Sequence, residues 1–178
     1  MKTIAVLVGS NRKDSLNLKF ARALEKIASG RLAFDFIDVA AIPMFNDDHV
    51  ADMPAPAREM KAKIKAADGL LFVTPEYNRS IPAVLKSAID WGTRPPKENV
   101  FVGKRGAITG ATGGMIGTAA AQMHLRTILV TVGVLVQGRP EVFFRALPGL
   151  IDEDFNITEE GTREFLTTFI DALADWVA

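Results

Sequence analysis

No cysteine occurs anywhere in the chain. That excludes disulfides, thiolate nucleophiles and Cys-ligated metals at once. Neither sign of charge is in surplus: Lys plus Arg and Asp plus Glu both count 21, for a formal net charge of zero. A nucleic-acid footprint needs a basic excess, and none exists. An electron carrier that docks through an acidic face needs the opposite excess, which is also missing. No apolar run is long enough to span a bilayer; the longest, Ile128 to Val136, is interrupted by Thr131 and Gly133. A strand pattern starts at Thr3, leaving no room for a signal peptide, so a soluble cytoplasmic protein is expected. The phosphate-loop pattern G-x-x-x-x-G-K-[ST], the dinucleotide pattern G-x-G-x-x-G and the nucleophile elbow G-x-S-x-G are all absent. There is no repeat, linker or low-complexity stretch. With 178 residues, 48% of them hydrophobic, one packed domain spanning 1–178 is expected.

Apolar runs alternate with amphipathic segments along the chain. Thr3 to Val8 reads as a strand buried on both faces. Leu16 to Ala28 has helical spacing, with Leu16, Phe20, Leu24 and Ile27 on one stripe, and Gly30 ends it. Leu32 to Val39 carries Asp35 and Asp38, so this second strand belongs near an edge. A short helix over Ala57 to Ala67 leads to a third strand, Gly69 to Thr74. A helix over Ala83 to Trp91 follows, then a fourth strand from Lys104 to Thr109. A glycine-rich loop, Gly110 to Gly117, opens a helix over Thr118 to Thr131, and Gly133 to Val136 is a short fifth strand. Gly138 to Asp154 reads as irregular, although Glu141 to Phe144 has an extended pattern. A last helix reaches Val177, striped by Phe165, Phe169, Leu173 and Trp176. Strands separated by helices predict a doubly wound α/β fold with a five-stranded parallel sheet. A polar second strand at the edge favours the flavodoxin-like order 2-1-3-4-5. In that order the loops after strands one, three and four leave the sheet as neighbours.

Two of those loops have ligand chemistry. Gly9-Ser10-Asn11-Arg12-Lys13-Asp14-Ser15-Leu16-Asn17 lies between a strand and a helix start. The first N–H groups of a helix are unpaired and the dipole there is positive, which suits a phosphate. Ser10, Ser15 and Asn17 are neutral donors, and Arg12 is a charged fork. A plain helix cap by Ser15 or Asp14 is the simpler alternative, but it leaves the other polar residues unexplained. Thr74-Pro75-Glu76-Tyr77-Asn78-Arg79-Ser80-Ile81-Pro82 lies between a buried strand and a helix, with a proline fixing φ at each end. An aromatic ring, an amide and exposed main chain between stiff ends suit a flat heterocycle. By itself this is also an ordinary strand-to-helix turn. The glycines of the third loop let backbone approach a ligand closely. Asn46-Asp47-Asp48-His49 reads as a solvated turn and not a metal site. His124, within an apolar helix, reads as packed or at an interface.

Ser10-x-Arg12-x-x-Ser15-x-Asn17, Pro75-Glu76-Tyr77-Asn78-x-Ser80-x-Pro82 and Leu85-Lys86-x-Ala88-Ile89-Asp90-Trp91 together resemble the NAD(P)H-dependent FMN reductases, a family with bacterial quinone, chromate and azo reductases. The resemblance covers nearly the whole chain. It implies an FMN enzyme that takes hydride from NADPH or NADH and passes it to a small acceptor: a quinone, chromate, an azo compound or free flavin. It assigns the FMN phosphate to Ser10, Arg12, Ser15, Leu16 and Asn17. It lays Pro75, Glu76, Tyr77 and Asn78 against the isoalloxazine, and brings Ala111, Thr112, Gly113 and Gly114 to the ring edge. It implies no metal and no catalytic side chain, because the cofactor carries the chemistry. Ala83, Arg79, Ala111 and Thr112 depart from residues often found in the family, which bears on the acceptor. A flavodoxin-like carrier is the alternative function. A homodimer or homotetramer is expected, because the Thr118 to Thr131 helix is apolar nearly all round and Phe143-Phe144 lack evident cover.

Overall fold

β1 (Lys2–Val8) is buried without interruption from Ile4 to Val8, as a central parallel strand must be. The computed structural model, which describes all 178 residues, places it between β2 (Leu32–Ile37) and β3 (Gly69–Val73). β4 (Arg105–Thr112) follows β3, then β5 (Leu135–Val136), giving the order β2-β1-β3-β4-β5 with every pairing parallel. Alternate residues of β1 serve opposite layers. Ile4, Val6 and Val8 pack with α1 (Leu16–Ala28) and α5 (Glu160–Trp176). Ala5 and Leu7 pack with α2 (Ala55–Ala66), α3 (Ala83–Gly92) and α4 (Ala119–Thr131). Each layer holds 22 buried residues, so neither sheet face is left to solvent.

The sheet departs from the five-strand expectation at its far edge. β6 (Val142–Arg145), in the stretch read as irregular, pairs with Thr109–Thr112 of β4. β5 pairs only with Arg105 and Gly106. The two short strands therefore share one position beside β4, with residues 137–141 bulging between them. Period two then divides the aromatic pair: Phe144 turns inward and stacks on Phe20 at 4.3 Å, whereas Phe143 stays exposed. The stripe on α5 also differs from the expected one. Leu166, Phe169, Ile170 and Leu173 are buried, the i, i+3, i+4, i+7 set of an amphipathic helix; Phe165 and Trp176 lie outside it.

Candidate functional site

Val8, Val73 and Thr109 lie at one level of the sheet through consecutive pairings. The loops after β1, β3 and β4 therefore leave side by side at the carboxyl edge, where open α/β sheets bind ligands. The first two are pressed together. Gly9 N–H donates to Val73 O at 2.8 Å. A Cβ on Gly9 would stand 3.0 Å from Leu85 and 3.4 Å from Pro75, so the backbone comes this close only without a side chain.

Ser15 is the N-cap of α1: its Oγ accepts from Leu18 N–H at 3.1 Å. The main-chain N–H groups of Leu16 and Asn17 find no acceptor in the chain. These are the open donors a phosphate takes at a helix start. Ser10 Oγ accepts weakly from Arg12 N–H at 3.4 Å, and the Arg12 side chain is exposed. A groove of about 560 Å³ runs along this end of α1, lined by Arg12, Lys13, Lys19 and Arg22 against one acid, Asp14.

Asn17 has a different task from its neighbours. Its amide is buried, donates to Ala111 O at 2.9 Å and accepts from Ala111 N–H at 2.9 Å. It clamps α1 to the end of β4. Ala111 is itself buried in β4, and Thr112 closes that strand, so the third loop is open only from Gly113 onward. Thr112 Oγ1 accepts from Gly114 N–H at 3.2 Å and shapes the turn. Gly110 lets β4 pass its neighbour, because a Cβ there would overlap the Thr74 carbonyl.

The turn after β3 is stiff. Thr74 and Pro75 are buried, and Thr74 Oγ1 donates to Pro75 O at 2.8 Å. Tyr77 and Ser80 exchange both main-chain hydrogen bonds, at 2.9 and 3.0 Å. The two residues between them, Asn78 (φ 52°) and Arg79 (φ 66°), are both left-handed, the hallmark of a tight primed turn. Tyr77 is exposed at its edge.

Glu76 is the functional residue whose role the sequence hides. Its carboxylate is nearly buried, with Oε2 accepting from Ala121 N–H at 3.1 Å and Oε1 3.2 Å from Arg79 Nη1. The N-cap residue of α4, Thr118, is left-handed and makes no capping bond of its own. Glu76 therefore caps α4 from another loop, placing a negative charge at the positive end of the helix. The sequence held no signal of this, because Thr118 is a residue type that ordinarily caps its own helix. A second tie joins the same elements: His124 Nδ1 lies 3.2 Å from Ser80 Oγ. His124 is exposed, which removes the packed alternative.

The largest cavity, about 790 Å³, lies elsewhere, between α2 and the Asp47–His49 turn. Its one buried charge is partnered: Lys61 donates to Arg94 O and stands 3.8 Å from Glu98. Desolvation by burial lowers the Lys61 pKa, and Glu98 only partly offsets it. Asn46 Oδ1 caps the turn, accepting from Asp48 N–H at 3.0 Å.

The carboxyl-edge residues suit one phosphate and one flat ring. A helix start offers free N–H groups, and a rigid turn one strand away presents Tyr77 and main chain. Nothing in this arrangement provides a second phosphate cradle, so FMN fits and FAD is not required.

Comparison with known proteins agrees. The sequence model of a family described as NADPH-dependent FMN reductase matches residues 2–147. A 2-hydroxy-1,4-benzoquinone reductase from a Burkholderia species is 47% identical, over 98% of this chain and 95% of that protein. A quinone reductase from Pseudomonas putida is 38% identical over 98% and 94%. Among solved structures, the flavoenzyme NAD(P)H:(acceptor) oxidoreductase FerB from Paracoccus denitrificans superposes with a TM-score of 0.97 at 43% identity, covering 99% of this chain and 97% of that one. An FMN-dependent NADH-azoreductase from Bacillus anthracis, in complex with FMN, has a TM-score of 0.60 at 14% identity over 98% and 100%, a likeness of fold alone. The chain belongs to the NADPH-dependent FMN reductase family and is an FMN- and NAD(P)H-dependent oxidoreductase.

Proposed function

We propose that this protein reduces quinones with NAD(P)H at an FMN held on the carboxyl edge of the sheet. One observation carries the reading: the open helix start of α1 and the rigid Tyr77–Ser80 turn stand on adjacent strands, with Gly9 packed against Pro75 between them. The names of the 47% and 38% identical relatives support a quinone as acceptor.

Each residue then has a part. Arg12, Ser10, Ser15 and the N–H groups of Leu16 and Asn17 hold the phosphate. Main chain of Pro75 to Asn78 hydrogen-bonds the ring edge, and the Tyr77 ring borders the open face. Thr112, Gly113 and Gly114 close the far edge, with Ala111 fixed behind them by Asn17. Bound FMN supplies a two-electron store that accepts and returns hydride. The overall reaction is NAD(P)H plus a proton plus quinone giving NAD(P)⁺ and hydroquinone, the proton coming from water. No side chain here stands as a dedicated base: the Glu76 carboxylate is engaged by α4 and Arg79.

The sheet edge and loops back one side of the ring, so reductant and acceptor take turns on the other. Ping-pong kinetics follow. NADPH added anaerobically should bleach the visible flavin spectrum, and a quinone should restore it. Double-reciprocal plots at several quinone concentrations should give parallel lines; intersecting lines would exclude alternate use of one face. The released flavin should run as FMN on chromatography after denaturation, and recovery of FAD would overturn the site. We infer also that chromate, azo compounds and free flavin are further acceptors, and that the enzyme works in the cytoplasm as a homodimer or homotetramer.

A further inference from the structure

Arg79 occupies a backbone position that favours glycine. Its φ of 66° is left-handed, a conformation that costs an ordinary L-residue strain. Asn78 before it tolerates that region; arginine has no special fitness for it. The side chain does not repay the strain through stability. It is 72% exposed, and its single ion pair is to Glu76 at 3.2 Å. Ion pairs this exposed contribute little. Nor is Arg79 needed for the cap on α4, since Ala121 N–H takes the other Glu76 oxygen. One guanidinium nitrogen is engaged, and the remaining N–H donors are free.

The surroundings are one-sided in charge, although the molecule is neutral. α4 carries His124 and Arg126 and no acid, and Arg126 is paired with Glu141 of a neighbouring segment at 3.5 Å. The loop from Gly113 to Thr118 has no ionisable residue. Lys86 on α3 is paired with Asp90 at 2.7 Å, leaving no free acid on that side. Glu76, already paired, is the one carboxylate in the turn. A ligand on the open face thus meets a cation with spare donors two residues from Tyr77.

We propose that Arg79 determines acceptor charge: it makes the site prefer quinones that carry a negative charge over neutral ones of the same size. This rests on the quinone reading given above. A ring hydroxyl beside a quinone carbonyl is a vinylogous acid, so such quinones are anions at neutral pH. The guanidinium matches the resulting oxyanion as it would a carboxylate. Hydride addition puts a further negative charge on a quinone oxygen until water protonates it, so the same contact strengthens during reduction. No other oxidant or reductant is required.

The test compares 2-hydroxy-1,4-naphthoquinone, an anion at neutral pH, with neutral 1,4-naphthoquinone on the FMN-loaded protein, in wild type, Arg79→Gly and Arg79→Lys. The first readout is the ratio of kcat/KM for the two quinones with NADPH. The second is calorimetric binding of each quinone to the oxidised protein without NADPH, which requires no turnover. Arg79→Gly should lower the anion-to-neutral ratio about ten- to a hundredfold in both readouts, the scale of one charge-assisted hydrogen bond. Arg79→Lys should keep most of the preference, and added salt should weaken it in wild type. Thermal unfolding of Arg79→Gly should match or exceed wild type, since glycine suits the turn, so the loss is not misfolding. An unchanged ratio in Arg79→Gly overturns the proposal, as does a wild type that does not bind the anion. A changed NADPH-to-NADH preference with unchanged quinone selectivity also overturns it, assigning the cation to the nucleotide phosphate. A wild type that binds the anion but reduces neither quinone would sink the acceptor reading alone.

Discussion

Arg12 extends an exposed guanidinium from a loop whose nearest neighbours, Ser10 and Ser15, already use their hydroxyls on main-chain N–H groups. It is therefore a free charged fork at the α1 start, beside the unpaired Lys13. Arg12→Ala should weaken FMN binding roughly ten- to a hundredfold, the cost of one charge-assisted contact. Fluorescence titration of apoprotein measures this; unchanged affinity would remove the phosphate assignment. Tyr77 borders the ring face, so Tyr77→Ala should change kcat or acceptor preference while FMN affinity shifts less. Asn17 behaves as neither. Asn17→Ala would leave both main-chain groups of Ala111 buried without partners. At about 1–3 kcal/mol for each unsatisfied group, a loss of about 2–6 kcal/mol of stability is expected in denaturant unfolding. The open helix start and its polar residues were legible because a strand, a Gly/Ser/Asn loop and a helix pattern follow one another in the sequence. The Asn17–Ala111 pair was not, because it joins positions 94 apart.

At the scale of the element, α4 depends on a residue outside itself. Glu76→Ala should remove its cap at a cost of about 1 kcal/mol, a Tm decrease of roughly 2–4 °C. It should also loosen the flavin turn, so FMN should dissociate faster. A variant with wild-type Tm and FMN off-rate would show that the cap carries no weight. α5 is capped in the usual way, by Glu159, whose pKa is held down by the Thr162 hydroxyl and by Thr162 and Gly161 N–H groups. Asp68 is lowered by Thr3 N–H and Lys2, and Asp152 by the side chain and N–H of Asn156. In each case the folded pKa lies below the unfolded one. The carboxylates thus add stability above the ordinary carboxylate range and lose it as pH falls through the lowered values. Tm should be flat above about pH 5 and fall below about pH 4. Glu159→Gln should flatten part of that fall; an identical acid profile would deny Glu159 its share. Helices and strands themselves were legible because their periods, 3.6 and 2, differ. β6 was legible only as an extended pattern over Glu141 to Phe144; its pairing with β4 was not, because the four-residue strand shares its position with β5.

At the scale of the whole molecule, exposed apolar residues are scattered, but one group lies on the segments that follow β4. Met115 is 86% exposed, and Ile116, Phe143, Leu147 and Met123 are exposed as well. We propose that a second copy covers this group through a two-fold interface. Light scattering behind a sizing column should give two or four times 19.3 kDa. A monodisperse, active species at 19.3 kDa would mean that one chain completes the site. Met115→Lys with Phe143→Lys should shift the assembly toward monomer and, in doing so, raise solvent access to the flavin.

The strand order followed from the sequence because burial is written in composition: β2 carries Asp35 and sits at the edge, whereas β1 from Ile4 to Val8 and all of β3 are apolar and sit inside. The place of the three loops at one sheet edge followed because each is a turn at the end of a neighbouring strand. What only the tertiary structure decided are pairings between distant segments: Asn17 with Ala111, Glu76 with Ala121, Ser80 with His124, and the division of the last sheet position between β5 and β6. Local patterns report what each segment wants to bury. Which distant group satisfies a given donor depends on how the layers close, and that is settled only when all of them pack together.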